Sequence, residues 1–204
     1  QREQRQQFLR DLMSHAFMSP ANFRLAHLLL NSTVTNLVVT TNFDDLLSRA
    51  LDFFGCRHTS CDHPATVDRI DLDSNEVQII HLHGTHWFYD CFSLRDEAIE
   101  PGRGVSTTSL TMPALLDDLL RSYSPLVVGY SGWDGDVFTR ALFRRLSAGL
   151  KNDLYWFCHR KSDMDSLPGW LTSHPNVCVV LPGDSKRLDV AIARAGRELD
   201  EGAR

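Results

Sequence analysis

Apolar residues along the chain fall into short runs and longer periodic stretches, and the order of the two predicts the fold class. Leu37-Val38-Val39-Thr40 has no polar alternation, which predicts a strand covered on both faces, as in a parallel sheet. Leu126-Val127-Val128-Gly129-Tyr130 predicts another buried strand, and Leu154 to Cys158 and Val177 to Leu181 predict two more. Asp73-Ser74-Asn75 reads as a turn into Val77-Gln78-Ile79-Ile80-His81-Leu82-His83-Gly84, the second strand of a hairpin ending at His83. Between these lie helical patterns. Phe8, Leu9, Leu12, Met13, Ala16 and Phe17 share one face of an opening helix, and Ser19-Pro20 starts a second one over ANFRLAHLLLN. A third helix runs from about Asp44 to Phe54, with Leu46, Leu47, Ala50 and Leu51 inward and Gly55 ending it. MPALLDDLLRSY, VFTRALFRRLSAG and Leu188 to Leu199 make three more, while Trp87 to Thr111 reads as a long polar excursion. Strand and helix alternate almost throughout, which predicts a doubly wound, mostly parallel α/β sheet rather than a bundle or sandwich.

Composition narrows the partners. At 204 residues the chain suits one domain with a full core, and its net charge of −5 gives no basic footprint for nucleic acid along its own surface. The densest basic cluster, RALFRR at 140 to 145, reads as the solvated side of a helix, and burial in the core is the expectation for Phe138, Leu142 and Phe143. Five cysteines without CxxC spacing point to neither a disulfide framework nor a four-cysteine zinc site, and fit a reducing cytoplasm. No apolar run approaches the ~20 residues that span a bilayer. QREQRQQFLRDL is too polar for a signal peptide and reads like the middle of a helix, so the chain is expected to be part of a longer protein.

The candidate chemistry sits at strand ends, where open α/β sheets bind ligands. Three strands end in TTNFDD, HLHGTH and GYSGWDGD. In TTNFDD, Asn42 or Asp44 could simply cap the next helix, but a cap needs one such residue, not five. The alternative is that Asn42 orients a hydroxyl or water beside a helix N-terminus, which suits a phosphorylated sugar ligand. In HLHGTH, His81 and His83 lie two apart on the predicted strand and so face the same way, as a metal-chelating pair would. A barrel metallohydrolase built on such a pair needs ~250 residues and later ligands, and no later histidine pair or acidic set matches. A buried structural histidine and a general base are the other two readings. GYSGWDGD is no nucleophile elbow, because Trp133 stands where G-x-S-x-G demands glycine. Gly129, Ser131 and Gly132 fit close backbone approach to a phosphate or ribose, with Asp134 a cap or sugar contact.

In this order, TTNFD, then LHG about forty residues on, then VVGYSGWD, the chain from about Ala21 to Leu181 resembles the SIR2-like (sirtuin-fold) NAD-consuming domains, especially those of bacterial antiphage defence proteins. The resemblance implies a Rossmann-like sheet without a zinc ribbon module. It implies that Asn42 positions water and the nicotinamide-side ribose and that His83 is the catalytic base. Thr41, Phe43 and Asp44 then line the nicotinamide pocket with Thr40 beside them, and Gly129, Ser131 and Asp134 meet the adenosine half. His81 receives no part. Three departures stand out: the opening glycine-rich phosphate loop is absent, the zinc-ribbon cysteines of protein-deacylating sirtuins are missing, and Phe157-Cys158-His159-Arg160 replaces an expected asparagine.

The implied activity is hydrolysis of the nicotinamide N-glycosidic bond of NAD, through an oxocarbenium-like state, with NAD as substrate and no metal. The implied partners are a sensor domain or subunit and further copies of the chain, with no nucleic acid and no membrane. A protein deacylase and a silent NAD or ADP-ribose binding module are the rival readings.

Overall fold

The computed structural model describes residues 2–32, 35–88, 111–132 and 135–182, and these group into two compact units divided between Leu115 and Leu116. The predicted Leu188–Leu199 helix, most of the 87–111 excursion and Asp134 lie outside the described residues.

In the first unit, helices α1 (Arg2–Ser14) and α2 (Pro20–Asn31) precede strand β1 (Leu37–Thr40), helix α3 (Leu46–Phe53), strand β2 (His58–Cys61), a 3-10 helix (Pro64–Arg69) and strand β3 (Val77–His81). Ser19 and Asn22 form a capping box at the start of α2, the Ser19 N–H donating to Asn22 Oδ1 at 2.8 Å and the Asn22 N–H to Ser19 Oγ at 3.4 Å. The sheet order is β1-β3-β2, with every pair parallel: Leu37 lies opposite Gln78, and His58 opposite Val77. Ala26 and Leu29 of α2, Ala50 and Leu51 of α3, and Val77 and Ile79 of β3 form one buried cluster. Burying each of the larger side chains contributes ~1.5–3 kcal/mol. For α3 this is the packing that its apolar spacing predicts, with Ala50 and Leu51 buried and Leu47 packed against the cluster.

The parallel pairing corrects the expected hairpin. Residues 62–76 supply the dozen or so residues that a parallel crossover needs. Central placement buries β3 on both faces, Gln78 included. The Gln78 amide is accommodated because its Nε2 donates to the Asp71 carbonyl at 2.6 Å and its Oε1 accepts the Asp71 N–H at 2.8 Å. The opening helix also differs from expectation. It ends at Ser14, and Phe8, Leu12 and Phe17 are exposed, Phe17 at 88%. Among the described residues that apolar stripe has no cover.

In the second unit, helix α4 (Met112–Ser122), within which the division falls, leads to strand β4 (Leu126–Val128), helix α5 (Val137–Ala148), strand β5 (Leu154–Phe157), short helices α6 (Lys161–Asp165) and α7 (Gly169–Thr172), and strand β6 (Val177–Val180). The order β4-β5-β6 is again fully parallel, with Val127 opposite Trp156 and Trp156 opposite Val179. Leu142, Leu146, Leu154, Trp156 and Leu171 are buried. β4 is shorter than predicted because Gly129 leaves the strand with φ +67, and it is less covered, with Val128 72% exposed, because it edges its unit's sheet. Phe143 also departs from expectation. It stays half-exposed against the Trp170 ring, whereas Leu142 beside it is buried. Each unit therefore has the strand–helix alternation and parallel sheet that the sequence predicts. Among the described residues no helix is long and apolar enough to cross a membrane.

Candidate functional site

Beyond the end of β1 the chain turns at once. The Thr40 hydroxyl accepts the Asn42 N–H at 3.1 Å, and the Thr40 carbonyl accepts the Leu82 N–H at 3.0 Å. Helix α3 begins two residues later than predicted, because Asp44 stands outside it and caps it: Asp44 Oδ1 accepts the Leu46 N–H at 3.1 Å. Asp45 turns its carboxylate sideways instead, to Arg49 at 2.9 Å and to the Trp87 indole N–H at 3.4 Å. Capping thus falls to Asp44, and the side chain of Asn42 is exposed at the strand end with Thr41 beside it.

The turn after β3 meets this loop. His81, not His83, is the last residue of the strand, and its ring is buried. Leu82, His83 and Gly84 turn away from it, Gly84 with φ +76 and its N–H donating to the His81 carbonyl at 3.1 Å. A side chain at Gly84 would start 3.2 Å from the Asp62 carbonyl, so glycine is the residue this turn admits. His81 and His83 are therefore not a same-face pair on a strand, and the chelating geometry inferred from their spacing is absent. Among the described residues no group of three or more His, Cys, Asp or Glu is arranged to hold a metal ion.

Three histidines of this turn pack against the TTNFD loop. His81 Nδ1 lies 3.1 Å from the Asn42 carbonyl oxygen, and His86 Nδ1 lies 2.9 Å from that of Phe43, which also accepts the His86 N–H at 2.8 Å. A carbonyl only accepts, so these contacts are hydrogen bonds when each ring carries a proton on Nδ1. The His83 ring is buried with its centroid 6.2 Å from that of Phe43. Burial lowers the pKa of His81, against the opposing pull of its bond to Asn42 and of the Asp44, Asp62 and Asp45 carboxylates, which favours a neutral ring. Trp87 packs on His86 with centroids 4.7 Å apart, and Arg10 of α1 lies over the Trp87 ring and donates to the Trp87 carbonyl at 3.3 Å. Sequence reasoning weighed His81 as a chelating, structural or basic residue, but the resemblance left it no part, and His86, Trp87 and Arg10 received none. The density of histidine in HLHGTH was the signal for His86, and nothing in the sequence pointed to Trp87 or Arg10.

The second unit has its own cleft of about 770 Å³ at the carboxyl ends of β4, β5 and β6, lined among others by Gly129, Tyr130, Ser131, Trp156 and His159. Gly132 approaches the Trp156 ring and Leu167 so closely that an added Cβ would lie 3.3–3.4 Å from them. The Tyr130 hydroxyl donates to the buried Asp136 carboxylate and lies 2.8 Å from Thr139 Oγ1. Burial and that carboxylate push the phenol's pKa upward. The Cys158 thiol is likewise raised by burial.

The family description "SIR2-like domain" matches residues 36–176, more than half of the chain. The chain belongs to the SIR2-like family. No curated protein matches it. SIR2-like domains use NAD, and the α/β architecture with parallel sheets is the Rossmann-like fold expected of the family. Within this SIR2-like domain, Thr40, Thr41, Asn42, Phe43, Asp44 and His83 come together at adjoining strand ends of the first unit. Gly129 and Ser131 line the cleft of the second unit, and Asp134 lies outside the described residues. His159 lines that cleft in the segment where the resemblance expects asparagine.

Proposed function

We propose that this SIR2-like chain hydrolyses NAD to nicotinamide and ADP-ribose. The observation that carries the reading is the joining of the TTNFD and HLHGTH turns: the Asn42 and Phe43 carbonyls accept hydrogen bonds from His81 and His86, and the His83 ring lies beside that of Phe43. An exposed carboxamide in a loop whose Phe43 ring meets the buried His83 imidazole is suited to hold a ribose hydroxyl or a water near a group that can accept a proton.

In the proposed reaction the bond from the ribose anomeric carbon to the nicotinamide nitrogen breaks as water oxygen adds to that carbon. Nicotinamide leaves neutral with the bonding pair, and the proton lost from water passes to His83 directly or through a ribose hydroxyl. Asn42 orients the ribose and the water. Gly129 and Ser131 keep the adenosine-side role that the resemblance gives them. The chain lacks paired CxxC cysteines, so we read water rather than an acyl-lysine as the acceptor. Service as an NAD-depleting effector in antiphage defence, held silent by a sensor domain or subunit and assembled in several copies, completes the proposal.

The test is incubation of the full-length protein with NAD, following nicotinamide and ADP-ribose by chromatography. His83→Ala is expected to lower turnover ~10²–10⁴-fold, as loss of a general base does. Asn42→Ala should fall comparably, because it removes the group that positions water. Near-wild-type release from either folded variant overturns the assignment, and release that depends on an added acyl-lysine peptide identifies a deacylase instead.

A further inference from the structure

Each of the three peptide units around Asn42 is hydrogen-bonded, the first within its own turn and the other two to the turn after β3. Its N–H donates to Thr40 Oγ1 at 3.1 Å, its carbonyl accepts from His81 Nδ1 at 3.1 Å, and the next carbonyl, that of Phe43, accepts from both the ring and the backbone of His86 at 2.9 and 2.8 Å. Together these set both backbone dihedrals of Asn42 and hence the direction of its Cα–Cβ bond. Both imidazoles are buried, His81 at 3% and His86 at 2% exposure. Each presents Nδ1 to one backbone oxygen, and the His86 ring also packs on Trp87.

We propose that His81 and His86 are positioning residues that aim the Asn42 carboxamide. The proposal rests on the NAD-hydrolase reading, and it assigns the two histidines no contact with substrate. A neutral ring protonated on Nδ1 is the form that does this, and burial of His81 favours that neutral form. A carboxamide displaced by ~1 Å costs about 10²-fold in the reaction it serves, so the effect of losing the clamp belongs in kcat rather than in binding.

Asparagine separates a clamping role from simple filling, because its side-chain nitrogen is bonded to Cγ as Nδ1 is in histidine and offers an N–H from the same place. In the full-length protein, His81→Leu and His86→Leu are expected to lower kcat for nicotinamide release about 10²-fold with little change in KM. His81→Asn and His86→Asn are expected to recover most of that loss. Imidazole nitrogen NMR of the wild-type protein should show both rings protonated on Nδ1. Rings protonated only on Nε2, leucine variants with wild-type kcat, or asparagine variants as slow as leucine ones would each overturn the proposal. Where a leucine variant fails to fold, the asparagine variant and the ring tautomer decide. The tautomer needs no turnover, so a wild-type protein that releases no nicotinamide sinks the hydrolase reading alone.

Discussion

At the scale of single residues, the site depends on groups whose partners are backbone atoms, and this sets what the sequence could reveal. TTNFDD drew notice in the sequence because an apolar strand, half-buried in the structure, ran into five polar side chains where one cap would do. The contact of His81 with the loop was not legible, since its partner is a carbonyl 39 residues away and a carbonyl has no signature in sequence. Two predictions belong here. Gly84→Ala places a Cβ at φ +76 and 3.2 Å from the Asp62 carbonyl, and is expected to destabilise by about 1–3 kcal/mol, read as a lower denaturant midpoint at unchanged slope. An unchanged midpoint would mean that the turn relaxes freely. The second concerns pH. Because the folded pKa of His81 is depressed below its unfolded value of ~6.5, the unfolded chain binds the proton first as pH falls. Stability is therefore lost as pH drops below about 6.5, and the loss levels off beneath the folded pKa. His81→Asn keeps an N–H but does not titrate, so its melting temperature should fall less between about pH 7.5 and 5.5 than that of the wild type. Equal falls would assign the pH dependence to other groups.

At the scale of elements, apolar runs placed the strands and helices well but misjudged one pairing. Val77-Gln78-Ile79 looks like half-exposed alternation, and with a turn before it that pattern reads as a hairpin. The structure resolves the pattern differently: β3 is the central parallel strand, and Gln78 is an interior residue whose amide grips Asp71. What misled is a buried amide satisfied locally, which pattern alone cannot tell from a solvent-facing one. Gln78→Leu keeps the volume but strips the Asp71 N–H of its partner, while the exposed Asp71 keeps the Ser74 N–H on its carbonyl at 3.1 Å, so the loss is that of ordinary hydrogen bonds, about 0.5–1.5 kcal/mol each. Chemical denaturation is expected to show that loss. A variant as stable as wild type would show that water reaches Asp71 instead. The start of α3 follows the same logic, since Asp44 caps from outside the helix and shortens it, and the Asn42 side chain stays exposed.

At the scale of the whole molecule, a ligand that binds only the folded state stabilises it by an amount that grows with the logarithm of its concentration over its dissociation constant, and this tests the NAD reading without requiring turnover. His83→Ala removes the proposed base and leaves Asn42, Gly129 and Ser131, to which the proposal gives the NAD contacts, unchanged. At NAD a hundredfold above its dissociation constant the variant should gain ~2.7 kcal/mol. For a chain of this length each kcal/mol raises the melting temperature by roughly 2–4 °C, so a rise of about 5–10 °C is expected. The wild type separates the rival readings by what becomes of the ligand. If NAD is consumed, its stabilisation should decay toward that given by ADP-ribose alone. A steady shift with intact NAD would mark a binding module, in which the clamped Asn42 recognises a ribose it does not cleave. No shift in either protein would remove NAD as the ligand of this SIR2-like chain, and would leave the joined TTNFD and HLHGTH turns as a device of folding.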